Sequence, residues 1–347
     1  MDNQLKFRRM KSSKVLYIIL GVALPTLFLL NILYGAVSIP FEEIWKIFTG
    51  KIGQNDPWRI IVVESRIPQA ITALLSGASL AVCGLLLQTL FRNPLAGPSI
   101  LGISDGANLG VAIAMLALGG QIAGLGGYMT IALSALIGAM AVLGIIIYFS
   151  TKVRNNVLLL IIGIMVGYLV SSSISILNYY ASADKVQKFV MWGMGDFSSV
   201  SLDKLPFFCT TLLAALTLVL FLIKPMNALL LGENYATNLG VNVPKVRTII
   251  LISTGILVAV VTAFCGPISF IGIAVPHIAR LMTGQANHRH LIPVTLLCGG
   301  VIALMCNILT IIPGSNSILP LNAVTPLFGA PVIIYVIIGK KNLQLYN

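Results

Sequence analysis

Long apolar segments with few or no charged residues recur along this chain of 347 residues. A helix needs about 20 residues to cross about 30 Å of hydrocarbon, so each segment of that length predicts a transmembrane helix. The segment 248–279 contains no Asp, Glu, Lys or Arg and is too long for one crossing, and Gly266-Pro267 interrupts it. Divided there, the pattern predicts ten spans: 15–37, 67–90, 100–118, 123–149, 156–181, 205–223, 248–265, 268–283, 291–312 and 324–339. The alternative for 268–283 is a re-entrant segment buried against other helices.

The basic residues orient these spans. Ten crossings place both termini on one side of the membrane, and a cluster of basic residues before the first span indicates that this side is the cytoplasm: Lys6, Arg8, Arg9, Lys11 and Lys14. The predicted inner side carries 15 of the 22 basic residues and 3 of the 10 acidic ones, whereas the outer side carries 7 of each. The net charge of +12 therefore lies inside, and no nucleic-acid partner is needed to explain it.

Composition narrows the class of protein further. The chain is 57% hydrophobic and only 9% charged, compared with about 25% charged residues in soluble globular domains. We therefore predict an all-α integral membrane protein with a single domain over residues 1–347 and no separate soluble catalytic domain. One outer segment, 38–51, places Phe41, Trp45 and other apolar residues on one helical face, which predicts a helix lying on the outer interface.

Chemistry typical of ion-driven carriers and of metalloenzymes is scarce. Ion-coupled transporters keep ionisable residues at membrane depth. Here Asp105 is the only acidic residue inside or beside a predicted span away from the outer loops, and His277 is followed within three residues by Arg280. No phosphate-binding loop occurs, and the histidines have neither Cys nor carboxylate neighbours at metal-binding spacing. We expect no cofactor or metal in this chain, and a partner must then supply the energy for transport.

Two Pro- and Gly-rich motifs are specific enough to indicate a family. The first follows Gln88 and contains four residues of types that interrupt helices: Asn93, Pro94, Gly97 and Pro98. The second begins at the predicted break and contains Gly266, Pro267, Pro276, His277 and Arg280. In this order and spacing, the motifs resemble those of the permease subunits of ABC importers for iron-siderophores, haem and cobalamin. The resemblance runs from about Arg66 to the last span.

The resemblance implies a non-catalytic transport subunit in a bacterial cell membrane. Members of this family pair two permease subunits around a central path, bind two cytoplasmic ATPases that use ATP, and receive cargo from an external binding protein. Helices 2–5 and 7–10 are expected to form an inverted repeat. We expect an iron-siderophore as cargo, with haem or cobalamin as alternatives, and leave open whether the dimer has identical subunits. The rival classes are an ion-coupled secondary carrier and an intramembrane metalloenzyme.

One site implied by the resemblance lies in the inner loop 224–247. Its residues match the short coupling helices that seat in the ATPase, with four positions singled out: Glu233, Ala236, Leu239 and Gly240. We expect Ala236 and Gly240, four apart, to present a flat face that a partner can approach. The alternative is a solvated loop.

A second implied site is the outer rim, where Arg66 resembles a family arginine that pairs with acidic groups of the binding protein. The second family arginine is Gln69 here, and Arg59 or Lys51 could compensate because rim charges mainly steer encounter. An interfacial anchor is the alternative role for Arg66. The family also commonly carries an Asp and an Arg near Asn307 and Thr310, and that ion pair is absent here.

The third implied site is the translocation path. Ser171, Ser175 and Asn178 recur at i, i+4 and i+7 and predict a polar stripe on the fifth span, which the family uses to line its channel. The alternative is that these side chains join neighbouring helices by hydrogen bonds. Asn155 and Asn156, at the inner start of the same span, occupy the family's gate region.

Overall fold

The computed structural model describes residues 2–51, 53, 56–118, 127–153, 155–311 and 319–338, and within these ranges it describes all side chains except those of 2–14, 128 and 336–338. The basic side chains that precede the first span, and positions 123–126, 312 and 339 of the predicted spans, therefore lie outside the described part.

Helices make up about four fifths of the described chain. The α-helices are α1 (Asp2–Leu33), α2 (Phe41–Phe48), α3 (Pro57–Ile60), α4 (Ile67–Leu90), α5 (Ile103–Ala112), α6 (Gly127–Lys152), α7 (Asn156–Tyr180), α8 (Ala183–Gly193), α9 (Leu205–Phe221), α10 (Ile223–Leu229), α11 (Glu233–Asn238), α12 (Val243–Cys265), α13 (Ile271–Thr283), α14 (His288–Leu309) and α15 (Leu321–Ile338). A π-helical segment joins α3 to α4 at Ile61–Arg66, a 3-10 turn at Pro98–Leu101 precedes α5, and a second π-helical segment extends α5 over Ile113–Ala117.

Each predicted span has a helix at its centre, which confirms the all-helical membrane fold. Six described helices are long and apolar enough to cross a membrane, α9 and α10 form a pair bent by 54°, and three apolar helices are shorter. The predicted break is confirmed, because α12 ends at Cys265 and Gly266 adopts a φ of +73°. The thirteen residues of α13 rise only about 20 Å, less than a full crossing. The count of ten crossings and the side of the termini stay predictions.

The centre of the bundle is α4, most of whose side chains are buried. Small residues let its neighbours approach closely, as is typical of membrane helices. A Cβ added at Gly77 would lie 2.3 Å from the carbonyl oxygen of Gly299 on α14, and one at Gly84 would lie 1.5 Å from the carbonyl oxygen of Gly272 on α13. Backbone therefore meets backbone on two sides of α4.

The helix packing supports the predicted inverted repeat. Helices 2–5 of the predicted count are α4–α7, and helices 7–10 are α12–α15. α4 packs on α13 and α14, and α12 packs on α5 and α6 in the corresponding way. α5 contacts α7 just as α13 contacts α15. Exchanging the two sets of helices thus reproduces the same pairs, as expected for an inverted-repeat transporter.

The amphipathic helix expected in 38–51 is α2. Ile44 and Ile47 are buried against a small apolar cluster at the end of α1, while Phe41, Trp45 and Phe48 are exposed. The buried side therefore lies next to the aromatic side rather than coinciding with it. On the polar side, Lys46 donates to Glu43 at 2.6 Å, and this hydrogen bond raises the pKa of the Lys46 ammonium.

Candidate functional site

The two sequence motifs meet in the core of the bundle. Gln88, fully buried at the end of α4, donates from Nε2 to the carbonyl oxygen of Ile273 at 3.2 Å, a partner 185 positions away. Its Oε1 accepts a hydrogen bond from Nη1 of Arg280. One amide side chain therefore holds both the start and the last turns of α13, which fixes the second motif against α4.

The loop of the first motif packs against α13 as well. Nε2 of His277 lies 2.7 Å from the carbonyl oxygen of Pro94 and donates to it. Asn93 shapes this loop by accepting a hydrogen bond from the backbone N–H of Leu95 at 2.9 Å. His277 is thus engaged by a backbone carbonyl, which explains a buried imidazole without any metal.

Close approach explains the small residues of both motifs. A Cβ on Gly97 would lie 2.5 Å from the side chain of Ile273, and a Cβ on Gly272 would lie 2.5 Å from Cδ of Pro98. Pro276 lies inside α13, and the carbonyl oxygen of Pro267 accepts from Asn322 at the start of α15. These motif residues have structural roles.

The other buried histidine, His288, links the ends of helices that are far apart in the chain. Nε2 of His288 lies 3.0 Å from Oγ1 of Thr89 on α4, and its Nδ1 lies 3.0 Å from Oδ1 of Asn227 on α10. Among the residues that the structure describes, no three His, Cys, Asp or Glu side chains are grouped as metal ligands would be.

The coupling segment centres on α11, and its exposed face differs from the expected one. Ala236 is fully buried, so the prediction that Ala236 and Gly240 form one accessible face is wrong. The reason is that α11 turns Ala236 onto the protein, while Leu231, Tyr235 and Leu239 stay more than half exposed. Tyr235 lies on α11, Leu231 precedes the helix and Leu239 is its C-terminal cap, so helical periodicity in the sequence does not mark this exposed group. Gly240 has open space around it and a φ of +82°.

Glu233 is the first residue of α11, and its carboxylate contacts side chains near the starts of α7 and α12. Its Oε1 accepts from Nδ2 of Asn156 at 2.6 Å and from Nη2 of Arg247 at 3.2 Å. Asn155 has a separate role, because its Oδ1 caps α7 by accepting from the backbone N–H of Val157 at 2.8 Å. The two adjacent asparagines of the expected gate region therefore do different things.

The polar stripe on α7 is largely accessible. Ser171 and Ser175 are exposed, and Asn178 is half-buried. Oγ of Ser175 donates to the carbonyl oxygen of Ser171 at 3.0 Å, within the same helix rather than across to another one. Tyr168 and Tyr179 are also exposed on this face. The stripe is available to line a path, and its role there remains a prediction.

The outer rim departs from expectation at Arg66. Its side chain is 4% exposed and turns inward, where Nη1 donates to the carbonyl oxygens of Ile32 and Leu33 at 2.7 and 2.8 Å. Nη2 donates to the carbonyl oxygen of Val37. The carbonyls of Ile32 and Leu33 end α1 and have no helical partner of their own, and Val37 lies in the segment that follows the helix. Arg66 is therefore not the exposed docking charge that we predicted, whereas Arg59 is half-exposed and remains a docking candidate.

A neutral hydrogen-bond chain occupies the region of the absent ion pair. Nε2 of Gln69 donates to Oδ1 of Asn307 at 3.1 Å, and Nδ2 of Asn307 donates to Oδ1 of Asn31 at 2.7 Å. Amides thus link α4, α14 and α1 without buried charges, which avoids the cost of placing ions in the membrane.

No signal in the sequence marks Asn322, whose side chain joins three segments of the chain. Its Nδ2 donates to the carbonyl oxygens of Gly193 and Pro267 at 3.2 and 2.6 Å, and its Oδ1 accepts from the backbone N–H of Ser269 at 3.0 Å. The end of α8 and the break after α12 are thereby held to α15.

Comparison with known proteins decides the family. The model of the FecCD transport family matches residues 23–339. The chain belongs to this family. It is 32% identical over 343 residues to the vitamin B12 import system permease protein BtuC of Salmonella arizonae, covering 97% of this chain and 99% of the relative. It is 33% identical over 283 residues to BtuC of Klebsiella pneumoniae, covering 82% and 84%.

Solved structures agree with this family. A metal-chelate type ABC transporter in an inward-facing conformation superposes with a TM-score of 0.80 at 30% identity, covering 94% of this chain and 99% of that one. PsaBC from Streptococcus pneumoniae matches with a TM-score of 0.51 at 16% identity, covering 88% and 100%, which shows the fold alone. The chain is therefore a multi-pass membrane subunit of an ABC importer and not an enzyme, and its ABC permease relatives work with partner permease and ATPase subunits.

Proposed function

We propose that this permease imports cobalamin, driven by ATP that cytoplasmic partner subunits bind and hydrolyse. The observation that carries the proposal is the nearly full-length match to a vitamin B12 permease. Our expectation of an iron-siderophore has no comparable support among the relatives, whose names favour what we gave as an alternative. Cobalamin is itself a metal chelate, the class named for the solved relative.

In this proposal, ATPase closure acts on the exposed apolar side chains of α11 and of the residues that flank it. Leu231, Tyr235 and Leu239 form a surface that is costly to leave in water on the inner side of a membrane protein. A partner groove that covers these side chains removes that apolar area from water. The polar stripe at Ser171 and Ser175 then borders the path between two permease subunits. Its small neutral groups let a large polar chelate pass without binding it tightly.

The test is uptake of radiolabelled cyanocobalamin into proteoliposomes that contain the permease, its genomically adjacent ATPase and its binding protein. Uptake should require ATP and persist when an ionophore dissipates the proton gradient. Accumulation that follows the gradient instead of ATP would identify an ion-coupled carrier. ATP-driven uptake of a labelled ferric siderophore, without uptake of cyanocobalamin, would reassign the cargo to the iron-chelate class.

One variant pair tests the contact surface in the same assay. Leu239→Glu should reduce co-purification of the ATPase and uptake together, because it places a carboxylate within the apolar contact. Thr151→Glu adds the same charge at the exposed inner end of α6, outside α11, and serves as its control. Equal retention of the ATPase by both variants would show that α11 is not the contact with the ATPase.

A further inference from the structure

The carboxylate of Glu233 lies where five helices come together. It sits in the first turn of α11, and its Oε1 accepts one hydrogen bond from Asn156 at the start of α7 and one from Arg247 on α12. Both donors have a second acceptor. Nδ2 of Asn156 donates to the carbonyl oxygen of Leu90 at 2.9 Å, and Nη1 of Arg247 donates to the carbonyl oxygen of Val153 at 3.0 Å. The ends of α4 and α6 are thereby joined to the same carboxylate.

The location of these groups makes the network strong. The Arg247 side chain is only 6% exposed, and that of Glu233 is 36% exposed. Charge-assisted hydrogen bonds are shorter and stronger than neutral ones, and little solvent competes for Arg247 at this depth. The 2.6 Å distance from Asn156 to Glu233 fits this class of bond.

The backbone of α11 needs such a connection if it is to transmit movement. This helix has only six residues, and glycines with positive φ lie on either side of it, Gly232 at +109° and Gly240 at +82°. Glycine imposes little conformational restraint on a displaced helix. A push on the exposed face of α11 would therefore be absorbed at its two ends, unless a side chain carries it to the neighbouring helices.

We propose that Glu233 is the positioning residue that carries displacement of α11 to the inner start of α7 through Asn156, with Arg247 holding the carboxylate in place. This inference rests on the proposed function, in which the ATPase acts on α11. It adds the link from that surface to α7, the helix with the exposed hydroxyl stripe. The inner end of α7 then opens and closes together with α11, because the hydrogen bond between Asn156 and Glu233 links the two helices.

The test uses the permease assembled with its ATPase in lipid nanodiscs, with MgATP and orthovanadate as the probes, so that no cargo is needed. Val157→Cys places a thiol at the exposed inner start of α7. Its reaction rate with a membrane-impermeant maleimide is compared between the nucleotide-free and the vanadate-trapped complex. Labelling of the permease without this substitution gives the background of the native cysteines, which are buried or half-buried.

The substitutions that break the link are Asn156→Ala and Glu233→Ala, and Glu233→Gln keeps an acceptor oxygen without the charge. We expect the nucleotide-dependent change in labelling rate to fall about five-fold or more with either alanine, the lower end of typical coupling between sites. Glu233→Gln should retain part of it. The double alanine variant should be no worse than Glu233→Ala, because both changes remove the same bond. ATP hydrolysis should continue in all of these variants.

The control is Asn287→Ala, which removes another asparagine cap on the inner side, at α14, without touching Glu233. It should keep the wild-type labelling change. A wild-type change in Asn156→Ala and Glu233→Ala would overturn the inference, and so would failure of both to assemble while Asn287→Ala assembles, since the network would then be only structural. If the unsubstituted permease binds no ATPase, the proposed function itself fails, and this outcome is seen before any variant is made.

Discussion

Replacing Gly84 by alanine tests the tightest helix contact at a glycine among the residues that the structure describes. The added Cβ would lie 1.5 Å from the carbonyl oxygen of Gly272 and 2.5 Å from its carbonyl carbon. Both atoms belong to the backbone of α13, so no side-chain rotation can relieve the clash. An aliphatic carbon and a carbonyl oxygen make C–H···O contact at about 3.3–3.6 Å. The two helices must therefore separate by about 2 Å.

The cost follows from what this separation disrupts. Overpacking typically costs about 1–3 kcal/mol, and a backbone obstacle belongs at the upper end of that range. Alanine gains up to about 1 kcal/mol in helix propensity over glycine, which offsets part of the loss. Movement of α13 also strains the hydrogen bond that Gln88, one turn further along α4 than Gly84, donates to Ile273. The net expectation is destabilisation by about 2 kcal/mol.

Thermal unfolding of the detergent-solubilised permease measures this effect, with Gly144→Ala as the matched control. Gly144 lies on α6 with no atom within 4 Å of a Cβ built there. Its alanine variant should unfold at the wild-type temperature or slightly above. Gly84→Ala should unfold about 3 °C lower, because an unfolding entropy of about 2.1 cal/mol/K per residue amounts to about 0.7 kcal/mol/K for the 347 residues. Equal unfolding temperatures for the two variants would refute the close approach of α4 and α13.

Two other substitutions separate structural roles from functional ones. Arg66→Ala should lower the unfolding temperature, because it leaves three carbonyl groups near the end of α1 without their donor. An unchanged unfolding temperature, with uptake that is slower than that of the wild type at low salt and less sensitive to salt, would restore the docking role. Asn322→Ala removes three hydrogen bonds and should destabilise by about 2–3 kcal/mol. Asn322→Asp keeps only the acceptor half of the side chain and should lose most of this stability in the same assay, and retention of wild-type stability by the alanine variant would contradict the role of Asn322.

The apolar segments and the two motifs were sufficient to predict the fold class and the family. Hydrophobic length reports on each helix separately, because a helix satisfies its own backbone hydrogen bonds wherever it lies in the bilayer. The break at Gly266-Pro267 was visible for the same reason, since it depends on residues adjacent in the chain. Cargo could not be derived in this way, and the preference for an iron-siderophore was not supported by the relatives.

Side-chain direction was where sequence reasoning failed. Ala236 and Arg66 were both expected to face a partner, and both are buried. A small residue in a polar loop fits a contact with an ATPase or with the protein's own core equally well. An arginine near the outer interface can likewise serve the binding protein or the carbonyls at the end of α1. Only the position of the neighbouring helix distinguishes these cases.

The sequence by itself determined that this is a helical membrane protein of the FecCD family with a break between α12 and α13. The tertiary structure alone decided that Gln88 joins the two motifs and that Glu233 joins α11 to α7. The physical reason is that a membrane helix is apolar on the sides that face lipid and on the sides that face protein. Periodicity therefore marks where helices occur, but the partners of each buried polar group are set by packing between segments far apart in the chain.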